Sequence, residues 1–439
     1  MQLPVDGLAP DVVRRLLAAA GEQDIPWEQG RGWSLVYDLP GEHAALVADA
    51  SAMYAAANGL SSSAFPSAAR FEAAVIAMTA SVVAPRRTAY GVFTSGGTES
   101  ILLAVKAARD REGARGDEVV VPVTAHPAFG KAAAYLGLRL RTVPVGESGA
   151  VDPADIVAAT DRNTALVGLS APNFPYGVLD PIPDVAAALQ DRGIPVHVDA
   201  ALGGLFLPFM DEANAESTAF GLDIGGVTSV SVDLHKYGYG AKGASVLLFS
   251  DVGMRHASYY VDPSWPGGAY AAAGVLGTRP VGASAAAFAS MVRLGHNGFR
   301  ATVQQVMKTT RCLVDGLCEI GQFELIGTPA MSVFAVTGAE VEVARAMRGL
   351  AIRGWSIDGL TRPLAMHFVV FPRHAAIIEQ FLTDVEAALH DPTAEAAGGV
   401  SSYGVMVRGG SLTADALREH LDQRFQAGTE AWLDEYLSP

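Results

Sequence analysis

The fold of this chain is decided by the stretch Val227-Thr-Ser-Val-Ser-Val-Asp-Leu-His-Lys-Tyr-Gly238. Its first six residues alternate as a half-buried strand does, and Lys236 lies just past the end of that strand. A strand end flanked by small residues presents a side chain to a cleft, where an amine is partly desolvated. Desolvation lowers the pKa of an amine and makes it a better nucleophile toward a carbonyl. Lys236 is therefore a candidate for Schiff-base formation, although an exposed strand-end lysine is the common alternative.

Composition restricts the possible partners. The chain has 439 residues, of which 50% are hydrophobic and 18% charged, so it can bury a large core and form two or three domains. Its formal net charge of −15 disfavours nucleic acid and anionic membranes as partners. A small anionic ligand stays possible, because a local basic site can oppose the overall sign.

Cysteine content and apolar patterning bear on location. Only Cys312 and Cys318 are present, in a helical pattern without histidine partners, which predicts no metal site and a cytoplasmic, reduced protein. The start of the chain lacks the basic and apolar regions of a signal peptide. No run of about 18 apolar residues occurs, so we expect no membrane anchor.

Strand and helix patterns divide the chain into three parts. Residues 1–60 predict an N-terminal helical arm, 61–300 a large domain, and 301–439 a smaller α+β domain that begins with a long helix at 299–319. In the large domain, apolar strands alternate with helices, which is typical of an α/β fold with a mostly parallel central sheet covered on both faces. Ligands of such sheets bind at the carboxyl ends of the strands. The predicted strands of the large domain are 90–94, 118–123, 166–170, 195–199, 227–232 and 244–249.

The stretch Thr94-Ser-Gly-Gly-Thr-Glu99 follows the first of these strands and opens a helix. Gly96 and Gly97 let backbone N–H groups approach an anion, and the helix N-terminus adds its dipole. Ser95 and Thr98 supply hydroxyl donors. The stretch matches neither GxGxxG nor GxxxxGK[ST], so it favours neither a dinucleotide site nor a P-loop. It predicts a phosphate site, with an ordinary capped helix start as the alternative.

An aspartate closes the predicted strand that contains Pro195-Val-His-Val-Asp199. A carboxylate buried there is costly unless a cation or a protonated base pairs with it. A pyridinium nitrogen is such a partner, and Asp199 would keep that nitrogen protonated; an aspartate that caps the next turn is the alternative. We expect His197 to point to the opposite face of the sheet and to be structural.

Two further polar residues follow strands. His126 lies just past the strand that ends at Val123, where an imidazole can stack on a flat ring; a polar loop histidine is the alternative. Asn173 follows the strand that ends at Ser170 and can donate to a phenolic oxygen, although its flanking prolines also suit a plain turn. A phosphate cup, a ring acid, a stacking histidine and an amine together predict pyridoxal 5′-phosphate, held as a Schiff base by Lys236.

Further stretches extend this pattern over residues 35–439. They are Phe65-Pro-Ser67 through Glu72, Ser170-Ala-Pro-Asn-Phe-Pro-Tyr-Gly177 with Asp180-Pro-Ile182, His197-Val-Asp-Ala-Ala-Leu-Gly-Gly204, Lys242-Gly243, Gly277-Thr-Arg-Pro280 and Ser402-Tyr403-Gly404. With the glycine and lysine stretches, they resemble the pyridoxal-phosphate-dependent group II decarboxylase superfamily and, within it, the sphingosine-1-phosphate lyases.

The resemblance implies fold type I, like aspartate aminotransferase, in a homodimer whose active sites lie at the dimer interface. It implies that Lys236 carries the cofactor, that Asp199 holds the pyridine nitrogen and that His126 stacks on the ring. Three residues fall to the cofactor phosphate and three to the substrate. The phosphate residues are Gly97, Thr98 and His235, and the substrate residues are Lys242, Arg279 and Tyr403. For the last two, a structural ion pair and simple packing are the alternatives.

The implied reaction is a retro-aldol cleavage of the Cα–Cβ bond of a β-hydroxy amine, possibly phosphorylated, which releases an aldehyde. The stretch Asn58-Gly-Leu-Ser-Ser-Ser-Ala-Phe65 departs from the His-Pro-containing stretch of the lyases, and Gly-Ala-Lys242 replaces Ala-Pro-Lys. Because we expect the first of these to line the substrate entrance, the substrate need not be a sphingoid phosphate. An amino-acid decarboxylase, an aldolase acting on a small β-hydroxy amino acid, and a non-catalytic cofactor-binding module are the alternatives.

Overall fold

The computed structural model describes residues 6–22, 24–111, 113–114, 116–210, 219–391, 400–402, 405–407 and 413–427. Its helices, in chain order, are α1 (Pro10–Ala20), α2 (Glu42–Met53), α3 (Pro66–Val83), α4 (Gly97–Asp110), α5 (Ala128–Leu136), α6 (Pro153–Ala159), α7 (Ile182–Gln190), α8 (Val252–Ser258), α9 (Gly282–Glu319), α10 (Glu340–Ile352), α11 (Ile378–Leu389) and α12 (Ala414–Ala427).

The strands fall into two larger sheets and two hairpins. In chain order they are β1 (Tyr90–Thr94), β2 (Glu118–Pro122), β3 (Arg139–Val143), β4 (Thr164–Ser170), β5 (Val196–Asp199), β6 (Val227–Asp233), β7 (Ser245–Phe249), β8 (Tyr260–Asp262), β9 (Tyr270–Ala272), β10 (Glu324–Leu325), β11 (Val333–Thr337), β12 (Asp358–Thr361), β13 (Leu364–Val369), β14 (Val400–Ser402) and β15 (Val405–Val407).

The large sheet has seven strands in the order β1-β7-β6-β5-β4-β2-β3. Strand β7 runs antiparallel to both of its neighbours, whereas β6, β5, β4, β2 and β3 pair in parallel. Every residue of β2, β4, β5 and β7 is buried, because helices cover both faces of the sheet. The predicted α/β architecture with a mostly parallel sheet is confirmed. The parallel strands bring their carboxyl ends, and the polar residues that follow them, to one edge.

A second, antiparallel sheet in the order β10-β11-β13-β12 lies in the C-terminal part of the chain. A segment from the N-terminal part packs against it: Gly32 forms a bridge to Ser356, and the ring of Trp33 contacts Phe381 with centroids 4.5 Å apart. The same segment continues to the rim of the cavity described below. The division into an arm, a large domain and a small domain stays a prediction.

Several predicted boundaries were wrong. The long helix begins at Gly282, not Phe299, and is interrupted at Gly295, whose φ of +55° is not helical. Its first turns are rich in alanine and are buried all round, so no amphipathic period marks them in the sequence. Strand β3 was not predicted, because four of its five residues are exposed at the edge of the sheet and form no apolar run.

None of the helices in the described part of the chain has the length and hydropathy that a membrane crossing requires.

Candidate active site

One cavity at the carboxyl edge of the large sheet contains four of the predicted residues, namely His126, Asp199 and Lys236 together with Lys242, which is described further below. Its volume is about 710 Å³ and it opens to solvent. The first two lie after β2 and at the end of β5, and Lys236 lies three residues past β6. The remaining lining residues are Ser34, Leu35, Tyr37, Ser170, Pro172, Phe174, Ala201 and Leu202.

Lys236 has a buried counter-ion that sequence reasoning missed. Its Nζ lies 3.0 Å from Oδ2 of Asp233, the last residue of β6. Burial alone would raise the pKa of Asp233, but the positive charge of Lys236, helped by His235, holds that pKa below its ordinary value. The prediction considered desolvation of the amine and left this carboxylate out, although the spacing Asp-x-x-Lys was visible in the sequence.

The glycine loop before α4 meets the lysine segment. A Cβ added to Gly97 would lie 3.2 Å from both carboxylate oxygens of Asp233, a tight contact that would require the carboxylate to move by a few tenths of an ångström. A Cβ on Gly96 would lie 3.5 Å from the imidazole of His235. That imidazole donates from Nδ1 to the carbonyl of Ala244 over 2.8 Å, which fixes the ring beside the loop. The structure therefore brings the predicted phosphate residues together.

Ser95 forms its hydrogen bonds with another residue of the chain. Its backbone N–H donates to Oε2 of Glu99 over 2.7 Å, and its hydroxyl donates to the same oxygen. The other oxygen of Glu99 accepts the backbone N–H of Val275 over 2.6 Å. Both hydrogen bonds run from Ser95 to a glutamate in the first turn of α4, so they fix the loop to the start of the helix, which was the alternative for this stretch. The N–H groups of Gly97 and Thr98, at the first turn of α4, remain suited to an anion.

Asp199 lies on the cavity floor and is 8% exposed. Its Oδ1 accepts the backbone N–H of Ala201 over 3.1 Å and the hydroxyl of Ser231 over 3.4 Å. The same hydroxyl lies 3.3 Å from Nε2 of His197. The expectation that His197 points away from Asp199 was therefore wrong, because residues two apart in a strand share a face. Complete burial lowers the pKa of His197 to about 3, so its ring is neutral.

His126 presents a neutral imidazole to the cavity. Burial lowers its pKa, the charge of Asp199 opposes that shift, and the charge of Lys236 adds to it. Its Nδ1 accepts the backbone N–H of Ala128 over 3.2 Å, which places the ring proton on Nε2. A neutral ring fixed in this way suits stacking against a flat aromatic group.

Lys242 lies at the cavity mouth. Although the residue as a whole is exposed, its Nζ donates to the carbonyl of Leu35 over 2.8 Å and lies 5.1 Å from the ring centroid of Tyr37. Burial, with the like charge of Lys236 and against that of Asp233, lowers the pKa of Lys242 to about 8. Leu35 and Tyr37 come from a segment about 200 residues away, which no sequence signal had linked to the site.

Three predicted residues are not among those that line this cavity. Asn173 donates to the carbonyl of Gly149 over 3.1 Å and accepts the N–H of Tyr176 over 3.1 Å, so its side chain holds a turn. Arg279 forms a two-point ion pair with Glu72, with distances of 2.9 and 3.0 Å, in a second cavity. Tyr403 lies outside the described residues.

The altered entrance stretch lies beside Arg279. The N–H of Gly59 donates to the carbonyl of Arg279 over 2.8 Å, and Asn58 forms a bridge to Pro280. None of residues 58–65 lines the cavity that contains Lys236. Within this chain, the expectation that the stretch lines the entrance to that cavity was therefore wrong.

The residues present fit pyridoxal 5′-phosphate. The cavity offers an amine for the carbonyl and a buried carboxylate for the ring nitrogen. The helix-terminal N–H groups for the phosphate belong to the glycine loop, where a Cβ on Gly97 would lie 3.5 Å from Ala201 of the cavity lining. Oδ1 of Asp233, buried below the glycine loop, has no hydrogen-bond partner among the described residues. A buried acceptor without a partner is costly, which suits a pocket that holds a further group.

Comparison with known proteins agrees with this geometry. Residues 36–336 match the family model of the pyridoxal-dependent decarboxylase conserved domain. A sphingosine-1-phosphate lyase of Dictyostelium discoideum is 38% identical over 391 residues, which are 88% of this chain and 74% of that protein. The solved structure of a Burkholderia pseudomallei sphingosine-1-phosphate lyase superposes with a TM-score of 0.86 at 29% identity, covering 98% of this chain and 97% of the other.

Glutamate decarboxylase of Lactobacillus brevis shares the fold, with a TM-score of 0.78 at 18% identity over 89% of this chain and 94% of the other. The predicted fold type I, cofactor and lyase activity are confirmed by these matches. The chain belongs to the pyridoxal-dependent decarboxylase family and, within it, to the branch of the sphingosine-1-phosphate lyases, as a pyridoxal-phosphate-dependent lyase that cleaves in their manner.

Proposed function

We propose that this enzyme cleaves the Cα–Cβ bond of a phosphorylated β-hydroxy amine that carries an apolar chain. The products are an aldehyde and an amine, which is phosphoethanolamine when the substrate is a sphingoid phosphate. The observation that carries the proposal is the placement of Lys236, Asp199, His126 and Lys242 around one cavity. The names of the relatives support the substrate class.

The residues divide the work as follows. With the cofactor bound, Lys236 would hold its carbonyl, Asp199 would hold a positive ring nitrogen, and His126 would cover the ring with its neutral imidazole. The bound cofactor supplies an electron sink for the charge left at Cα when the Cα–Cβ bond breaks. Lys236 Nζ, 3.0 Å from Asp233, is our candidate for taking the proton of the β-hydroxyl once the substrate amine has displaced it.

Lys242 is our candidate for the substrate phosphate. An ammonium at the cavity mouth can exchange the carbonyl of Leu35, a neutral acceptor, for a charged oxygen, which forms a stronger hydrogen bond. Thr98 and Gly97 remain our candidates for the cofactor phosphate, together with His235. The roles of Ser95, Gly96 and Asn173 in cofactor binding also remain predictions, as do those of Arg279 and Tyr403 toward the substrate.

We further propose that the enzyme acts as a homodimer in the cytoplasm. Exposed apolar side chains on the hairpin formed by β8 and β9 support the dimer, since Tyr260, Val261 and Trp265 are 58%, 62% and 54% exposed. The free, exposed Cys312 and Cys318 suit a reducing compartment. Analytical sedimentation of the wild type and of Val261→Glu measures the oligomeric state of each protein. If both proteins sediment as monomers, the proposed dimer is refuted.

The reaction is tested by product analysis. Purified enzyme reconstituted with cofactor is given a sphingoid phosphate in one assay and amino acids in another, and both aldehyde and carbon dioxide are measured. We expect aldehyde and a visible absorption band, both lost in Lys236→Ala and kept in Lys131→Ala, a control lysine that is exposed beside Tyr135. Release of carbon dioxide from an amino acid, without aldehyde, would favour the decarboxylase. A wild type that gains no absorption band with cofactor would refute the proposal.

A further inference from the structure

A buried carboxylate that the mechanism above does not use lies behind the cavity wall. Asp180 is 3% exposed and follows β4 by ten residues. Its Oδ2 accepts the backbone N–H of Ser170 over 2.7 Å, and its own N–H donates to the carbonyl of Ser170. Its Oδ1 is buried and has no hydrogen-bond partner within the ranges that the structure describes. A half-satisfied buried carboxylate is costly, so it calls for a physical reason.

Asp180 is connected to the cofactor's ring acid through the ends of two adjacent strands. Ser170, to which it is bonded, is the register partner of Asp199 on the neighbouring parallel strand. The next residue, Ala171, donates its N–H to the carbonyl of Asp199 over 2.8 Å. Ser170 and Asp199 both line the cavity. The carboxylate of Asp180 is therefore bonded to the residue that lies beside Asp199 in the sheet.

The surroundings of Asp180 favour a bound proton. Burial raises its pKa to about 7, the N–H of Ser170 on β4 opposes the shift, and the charge of Asp199 on β5 adds to it. On α7, the nearest acidic residue in the chain, Asp184, is exposed to solvent. Like charges in a poorly solvated region are rarely both ionised unless a cation joins them.

We propose that Asp180 is a positioning residue for the cofactor, which acts through Asp199 on the ring nitrogen and exchanges a proton as the cofactor binds. While no cation lies against Asp199, Asp180 keeps a proton and limits the negative charge buried at the strand ends. When the positive ring arrives, the proton leaves a carboxylate oxygen of Asp180 for solvent, and the negative charge of Asp180 then strengthens the attraction between Asp199 and the ring. The inference depends on the proposed role of Asp199.

The proposal predicts a number of protons. At pH 7, a group with a pKa of about 7 carries roughly half a proton, so cofactor binding should release roughly half a proton from Asp180. Because the bound state binds fewer protons, cofactor affinity should fall as the pH drops below 7, by up to about tenfold per pH unit. Above pH 8, Asp180 is already ionised before the cofactor binds, so its contribution to proton release and to the pH dependence of cofactor affinity should vanish.

Titration calorimetry of cofactor-free enzyme with pyridoxal 5′-phosphate, in two buffers of different ionisation enthalpy, measures this release. We compare the wild type with Asp180→Asn, which keeps an acceptor oxygen for the N–H of Ser170, and with Asp184→Asn as the surface control. The wild type and the control should release roughly half a proton more than Asp180→Asn at pH 7, and the difference should disappear at pH 8.5. A purely structural role would not change proton release.

Equal proton release by the wild type and Asp180→Asn at pH 7 would overturn the inference. If Asp180→Asn fails to fold, Asp180→Ser takes its place, and its proton release at pH 7 is compared with that of the wild type in the same way. Asp199→Asn separates the two proposals: if it binds cofactor as tightly as the wild type, the ring-nitrogen assignment itself is wrong. If Asp199→Asn weakens binding while Asp180→Asn leaves proton release unchanged, only the role of Asp180 fails.

Discussion

Replacing Lys242 with arginine should abolish a loss of substrate affinity that the wild type shows above pH 8. The wild-type ammonium has a pKa of about 8, because burial and the nearby charge of Lys236 disfavour its proton. An arginine keeps its charge throughout this range. The pKa of Lys242 lies below that of an ordinary lysine, so its attraction for an anion is complete below about pH 7 and decreases as the pH rises.

The magnitude follows from the fraction of Lys242 that stays protonated. At pH 9, one unit above its pKa, about one molecule in eleven retains the charge. Since complete loss of the charge weakens binding only about tenfold, the KM for a phosphorylated substrate should rise about fivefold between pH 7 and pH 9. Lys242→Met removes the charge at every pH. A charge-assisted hydrogen bond contributes about 1.5 kcal/mol at the lower limit, so we expect a KM about tenfold higher at pH 7.5.

The assay measures aldehyde formation against substrate concentration from pH 7 to pH 9 for the wild type, Lys242→Arg and Lys242→Met. The same amine without its phosphate is the control, because its own ionisation affects all three proteins alike. We expect an about fivefold rise in KM for the wild type and a nearly flat profile for both variants. If Lys242→Arg follows the wild-type profile, or if the phosphate-free amine shows the same rise, Lys242 does not bind the phosphate.

Three further predictions concern buried partners. Below pH 6.5 the unfolded chain takes up a proton on His197 and the folded chain does not, so acidification from pH 7.5 to pH 5 should lower the free energy of unfolding of the wild type by about 2 kcal/mol. His197→Gln should not show this loss. If the urea midpoints of the two proteins change equally between pH 7.5 and pH 5, the prediction is refuted. Asp233→Asn removes the counter-ion of Lys236, so dialysis followed by absorbance should show cofactor loss at least about tenfold faster. His367 donates from Nε2 to the carbonyl of Phe174 in the cavity wall over 2.8 Å. His367→Leu should therefore lower kcat/KM by about tenfold, while His367→Gln, which keeps an N–H donor, should lose less; equal losses would contradict a role for this bond.

The strands and their chemistry were predictable for one physical reason. A parallel sheet buried on both faces requires near-continuous apolar strands, and their carboxyl ends must meet at one edge. Polar residues that follow such strands, as His126, Asp199 and Lys236 do, therefore lie together whatever the connections are. The same reasoning placed Gly97 beside this edge, where a Cβ would make a tight contact with Asp233.

What the sequence could not predict depends on contacts between distant segments. Tyr37 and Leu35 reach the cavity because Trp33, just before them, is anchored in the core of the C-terminal sheet. No local hydrophobic periodicity or sequence motif indicates such packing. Arg279 likewise pairs with Glu72, 207 residues earlier in the chain, and either a substrate contact or an ion pair was compatible with the sequence alone.

The ends of three neighbouring strands show why this fold needs its cofactor. Asp233 ends β6, Asp199 ends β5, and Asp180 is bonded to Ser170 at the end of β4. Lys236 balances the first carboxylate, whereas among the described residues neither Asp199 nor Asp180 forms an ion pair. Buried carboxylates without cations either bind a proton or destabilise the chain. A ligand that brings one positive charge to this edge therefore relieves a cost already present in the folded protein, and part of its binding free energy comes from the strand ends themselves.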